Sequence, residues 1–113
     1  MRYETKKICK IVDELTTMFL KEDTNEVDFK IIKSPEQTII RIVDHDTRYS
    51  DAQIEHLRKT LNNQRQFEVE EYYWKLAGEN EEDELTLVSA MIDTATVTKQ
   101  DGNLMIELIR KNV

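Results

Sequence analysis

Ile39-Ile40-Arg41-Ile42-Val43-Asp44-His45-Asp46 is the stretch on which the fold turns. It reads as a strand that alternates on one face and ends in an acidic turn. Side chains alternate across a strand with period two, so Thr38, Ile40, Ile42 and Asp44 share one side of the pleat. Core-facing positions thus deliver the Asp44 carboxylate to the edge of whatever the strand helps to wall. A carboxylate set there is either a ligand-reading group or a turn-forming Asp, and this stretch alone favours the turn.

The 113 residues around it suffice for one domain spanning 1–113 and not for two cores. A net charge of −7, with Lys and Arg interspersed among acids, argues against nucleic acid, because phosphate binding needs clustered cations. No apolar run approaches a membrane span and no signal peptide precedes the first helix, so the expected location is the cytoplasm. A single Cys excludes an internal disulfide and suits that reducing compartment. His45, His56 and Cys9 stand at unrelated spacings, and no metal site is expected from them.

Upstream, Ile8, Ile11, Val12, Leu15, Met18 and Phe19 form the apolar stripe of an amphipathic helix from about Glu4 to Lys21. Cys9, beside the stripe, reads as a small packing residue. Val27, Phe29 and Ile31 alternate with Asp28 and Lys30 as a half-buried strand, and Ser34-Pro35-Glu36 turns it into the opening strand.

Downstream, Ser50 and Gln53 make a capping box for a second helix, with Ile54, Leu57 and Leu61 on its apolar face. The polar run Asn62 to Gln66 interrupts the stripe before Val69, Tyr72, Tyr73 and Leu76 resume it. That predicts one bent helix or two, ending before Gly78 as C′ residue. An acidic loop from Glu79 to Glu84 leads to a short helix carrying Leu85, Leu87, Val88, Met91 and Ile92, capped near Asp83. Thr94 to Thr98 suits a strand, Asp101-Gly102 a hairpin turn, and Leu104 to Ile109 the last strand, followed by a basic tail at Arg110-Lys111. The expected fold is α+β: a two-layer α/β sandwich whose mixed, mostly antiparallel sheet carries helices on one face.

That order, with these residues in it, resembles the GHKL superfamily, the histidine kinase-like ATPase domains, and within it the bacterial anti-sigma-factor serine kinases. The resemblance runs from about Glu4 to Lys111. The family's early helix carries a Glu-(Ala/Leu)-x-x-Asn motif, matched by Glu14-Leu15-Thr16-Thr17-Met18. Its Asp-x-Gly after the hairpin is matched by Asp44-His45-Asp46, and its Gly-x-Gly-Leu-x-Leu-Val by Glu82-Asp83-Glu84-Leu85-Thr86-Leu87-Val88. By resemblance, Glu14 holds the general-base position and Asp44 the adenine-reading position.

The departures are chemical. Met18 stands where the family's Asn coordinates Mg²⁺, and a thioether is a poor ligand for a hard cation. Glu82 and Glu84 replace glycines that admit the phosphates to a helix N-terminus, and carboxylates there repel a triphosphate. Asp46 replaces the glycine of Asp-x-Gly, and the Thr that helps hold adenine falls at Asn103 or Leu104. Glu14 reads more readily as a solvated helix residue, and Asp44 equally as a turn former.

The resemblance therefore implies a non-catalytic, regulatory pseudokinase that binds a protein such as a sigma factor or antagonist, with no cofactor. The alternative keeps ATP or ADP with Mg²⁺ in an altered site resting on Asp44, Glu14 and the new acids. A dimerising module is a third reading, because Met105 and Ile109 make the last strand apolar on both faces. The acidic loop reads as solvation or as a docking patch, and Tyr72-Tyr73-Trp74 as core packing or an interface anchor. His45 and His56 are expected at the surface, without a triad partner.

Overall fold

A computed structural model describes residues 3–73 and 84–112, the side chains of Tyr72, Tyr73 and Glu84 excepted. Trp74, Gly78, Glu79, Glu82 and Asp83 lie outside the described residues, and with them the aromatic anchor, the C′ glycine, the acidic loop and the replaced phosphate-loop glycines.

The elements run α1 (Glu4–Lys21), β1 (Glu26–Lys33), β2 (Gln37–His45), α2 (Asp51–Leu61), α3 (Phe67–Tyr73), α4 (Glu84–Ala90), β3 (Thr94–Gln100) and β4 (Asn103–Lys111). The strands form one four-stranded sheet in the order β1-β2-β4-β3. Every pairing in it is antiparallel. Helices pack on one face, which makes the domain a two-layer α/β sandwich. No helix among the described residues is long and apolar enough to cross a membrane.

Register follows the alternation of β2. Ile40 faces Leu108 and Ile42 faces Ile106, and all are buried beneath the helices. Ile11, Leu15 and Phe19 from α1, Leu57 and Leu61 from α2, and Val88, Met91 and Ile92 close the core from above. Burying each aliphatic side chain of this kind contributes about 1.5–3 kcal/mol. Among the described residues no helix lies on the other sheet face. It carries Ile39, Val43, Met105 and Ile109 around an Arg41–Glu107 ion pair of 2.8 Å, with Met105 40% exposed.

Local signals explain the ends. Ser50 Oγ accepts from the Gln53 amide while the Gln53 side chain accepts from the Ser50 amide, closing the capping box. Asp101 and Gly102 both adopt positive φ, 54° and 81°, as a tight hairpin turn that matches strand twist requires. The polar run Asn62 to Gln66 separates α2 from α3, so the described segment is two helices rather than one bent one. The Thr-rich β3 is an edge strand, yet its outer side is occupied. Asn62 bonds both the amide and the carbonyl of Ala95, and Arg58 donates to the Val97 carbonyl at 2.7 Å.

Two expectations are corrected. Cys9 is exposed rather than packed, because one residue past Ile8 it lies about 100° round the helix from the buried stripe. Arg110 is not part of a solvated tail. It continues the inner-face alternation Leu104, Ile106, Leu108 of β4 and is 1% exposed.

Candidate functional site

A cavity of about 350 Å³ opens between the second half of α1 and the first half of α2, at the level of Met18. Met18, Leu57, Leu85, Ala52 and the Tyr49 ring make its apolar wall, and Glu22, Gln53 and His56 its polar one. The stripe that buries Leu15 and Phe19 puts Met18 and Glu22 one turn on, at the edge of the core. The capping box at Ser50 starts α2 so that Gln53, His56 and Leu57 face them. Among the described residues no Lys or Arg lines this cavity, so they offer a polyphosphate no countercharge.

Asp44 stands behind that wall, fully buried at the end of β2. Its Oδ2 accepts from Thr47 Oγ1 at 2.7 Å, and Thr47 Oγ1 in turn accepts from the Tyr49 amide at 3.2 Å. Asp44 is thus a turn former. It retains an unused acceptor as well, since its Oδ1 is buried without a hydrogen-bond partner. Asp46, at the glycine position of the motif, takes φ 51°, a left-handed conformation that Asp tolerates better than most residues. Its amide donates to Asn103 Oδ1 at 2.9 Å, which ties the turn to the last hairpin.

Tyr49 connects the two regions. Its ring packs edge-on against Phe19, with centroids 5.8 Å apart, and its hydroxyl is buried without a hydrogen-bond partner. Burial, then the nearby Glu22 and Asp44 carboxylates, push the phenol above its ordinary range, so it stays neutral. Nothing in the sequence marks this residue, because it falls in a connection without periodicity.

Glu14 is 3% exposed, which overturns its reading as a solvated helix residue. It shares the helix face of Leu15 and lies within 3.9 Å of Lys10 one turn back. Neither Glu14 nor Asp44 lines the cavity, so the structure does not bring the expected acid and adenine reader into one site. Met18 does line it, and its thioether supplies no hard oxygen ligand.

A second polar constellation lies at the opposite end of the helical layer and was invisible to local sequence reading. Glu70, fully buried on α3, is held by Lys7 at 3.0 Å, Arg110 at 2.7 Å and Arg65 at 3.2 Å. Arg110 also bonds Glu4 at 2.7 Å and the Met91 carbonyl, while Arg65 pairs with Asp93 at 2.9 Å. Every charge in this cluster has an opposite partner, so it is a latch joining α1, α3 and β4 rather than an anion site.

On the outer sheet face, His45 Nε2 lies 2.7 Å from Asp28 Oδ2. Their ligand-type atoms and those of Glu26 fall within 4.8 Å of one another. The Asp28 hydrogen bond raises the His45 pKa, consistent with an imidazolium–carboxylate pair. His56 is exposed, as expected. No family model matches the chain, and no curated protein or solved structure matches it either.

Proposed function

We propose that the protein is a non-catalytic, regulatory protein-binding relative of the anti-sigma-factor serine kinases, with a decayed nucleotide site and a cytoplasmic role. The observation that carries this reading is the cavity at Met18. It is walled by Met18, at the resemblance's Mg²⁺-ligand position, yet among the described residues its wall is apolar and acidic and holds neither a cation for phosphate nor an oxygen cluster for Mg²⁺. The helix-free sheet face, with Met105 exposed beside Val43 and the Arg41–Glu107 pair, gives a protein partner a mixed apolar and charged surface. A sigma factor or its antagonist is the partner the resemblance implies.

One observation favours the alternative, an altered ATP or ADP site. The buried, unused Oδ1 of Asp44 is an acceptor of the kind an amino group of adenine would satisfy. Titration of ATP and ADP, with and without Mg²⁺, decides between them. A ligand at one hundred times its dissociation constant stabilises a fold by about 2.7 kcal/mol, an easily measured thermal shift. The expected result is no shift at about millimolar nucleotide. A saturable shift that disappears in Asp44→Ala would replace the first reading with the second.

A further inference from the structure

We infer that the chain associates with a second copy of itself through β1, the two β1 strands pairing antiparallel about Phe29 so that the sheet continues across the contact. The sheet has two edges, and they are treated differently. On β3 the outward main-chain groups of Ala95 and Val97 are taken up by Asn62 and Arg58. On β1 nothing comparable exists among the described residues.

The hydrogen-bonding parity of β1 can be read from its neighbours. Ser34 donates its amide to the Gln37 carbonyl at 2.9 Å, and Ile32 faces Ile39 in register. Residues 34, 32, 30, 28 and 26 therefore bond to β2. Val27, Phe29, Ile31 and Lys33 turn their main-chain donors and acceptors outward. The side chains of Val27, Phe29 and Ile31 point to the helix side, where Ile31 remains 48% exposed at the rim. A free edge with apolar side chains is a template for strand addition.

The sequence of the strand selects the occupant. Written against itself about Phe29, Glu26-Val27-Asp28-Phe29-Lys30-Ile31-Ile32 puts Val27 opposite Ile31 of the second copy, Phe29 opposite Phe29, and Asp28 opposite Lys30. The outward parity is respected, since Val27, Phe29 and Ile31 are the residues that exchange hydrogen bonds. On the helix side the apolar groups meet and cover Ile31. On the other side each Asp28 meets a Lys30, twice by symmetry. Moving the centre by one residue sets Lys30 against Lys30 or Asp28 against Asp28, and like charges directly opposite are destabilising. The strand is therefore self-complementary in one register, as a two-fold contact must be. A contact limited to one strand edge is small, which makes the dimer weak and concentration-dependent.

This contact does not touch the cavity and uses the helix-free sheet face only through Lys30 and Asp28, which also bonds His45, so it stands whether or not nucleotide binds. Sedimentation velocity on the full chain from about 10 μM to about 1 mM should show a monomer–dimer equilibrium. Asp28→Lys and Lys30→Asp should each weaken it about tenfold, and the double variant D28K/K30D should recover wild-type affinity within about threefold. Circular dichroism checks folding, and Ile31→Pro supplies a second route. It removes an outward amide that no neighbour uses and should give a monomer. A wild type that stays monomeric throughout would overturn the proposal. So would a dimer indifferent to both charge variants, or a double variant as weak as the single ones.

Discussion

Tyr49 illustrates how one residue can define a site without announcing itself. Its ring is needed where it is, between Phe19 and the cavity, but its hydroxyl finds no hydrogen-bond partner there. A buried hydroxyl that makes no bond bears a desolvation penalty without return, so Tyr49→Phe should leave stability unchanged or raise it by up to about 1 kcal/mol. Urea unfolding measures this directly. A loss above about 1 kcal/mol would mean that the hydroxyl is bonded in solution. Asp44 was legible because strand alternation marks its face and the following turn marks its role. Glu14 was legible only as a matched motif position, and its side chain read as solvated, since its burial depends on neighbours far along the chain. The ion pairs of Arg110 were not legible at all. Its partner Glu4 lies 106 positions away, and no periodicity connects them.

Elements were the most readable scale, because their determinants are local. The α1 stripe, the Ser50–Gln53 box, the β2 alternation and the Asp101-Gly102 turn each act within a few residues, and the elements form where those signals stand. What sequence could not supply was the treatment of the sheet edges. Asn62 sits just past α2, where a polar residue reads as a helix terminator, yet its amide acts as a short substitute strand for Ala95. Replacing it with Ala leaves the Ala95 donor and acceptor on an open edge. Asn62→Ala should cost about 1–3 kcal/mol, and hydrogen exchange at the Ala95 amide should accelerate with it. Stability lost without faster exchange at Ala95 would assign the effect to the end of α2 instead.

At the scale of the whole molecule, the latch around Glu70 decides how the helical layer is tied to the sheet. The apolar core fixes α1 and α2 over β2 and β4, whereas α3 is anchored through a charge that burial alone would neutralise. Burial pushes the Glu70 carboxyl up, but hydrogen bonds from Arg110 and Lys7, with the charges of Arg110 and Arg65, outweigh it and bring it from 4.5 down to about 2. Glu4 is lowered too, chiefly by its hydrogen bond from Arg110. A carboxyl depressed in the fold stabilises it fully above the unfolded value and loses that contribution as pH falls toward the folded value. Glu70 should thus contribute about 3 kcal/mol at neutral pH, lost between about pH 4.5 and pH 2. Glu70→Gln removes the charge while nearly keeping the shape, and leaves Lys7 and Arg65 in a buried site without it. At pH 7 it should cost about 3–5 kcal/mol, the penalty of breaking a buried pair from one side. The two proteins should converge as the pH is lowered, because protonating Glu70 in the wild type reproduces what the variant already lacks. Urea midpoints from pH 7 to about pH 2.5 test this. A gap that stays constant across that range would place the acid sensitivity of the fold elsewhere than in the latch.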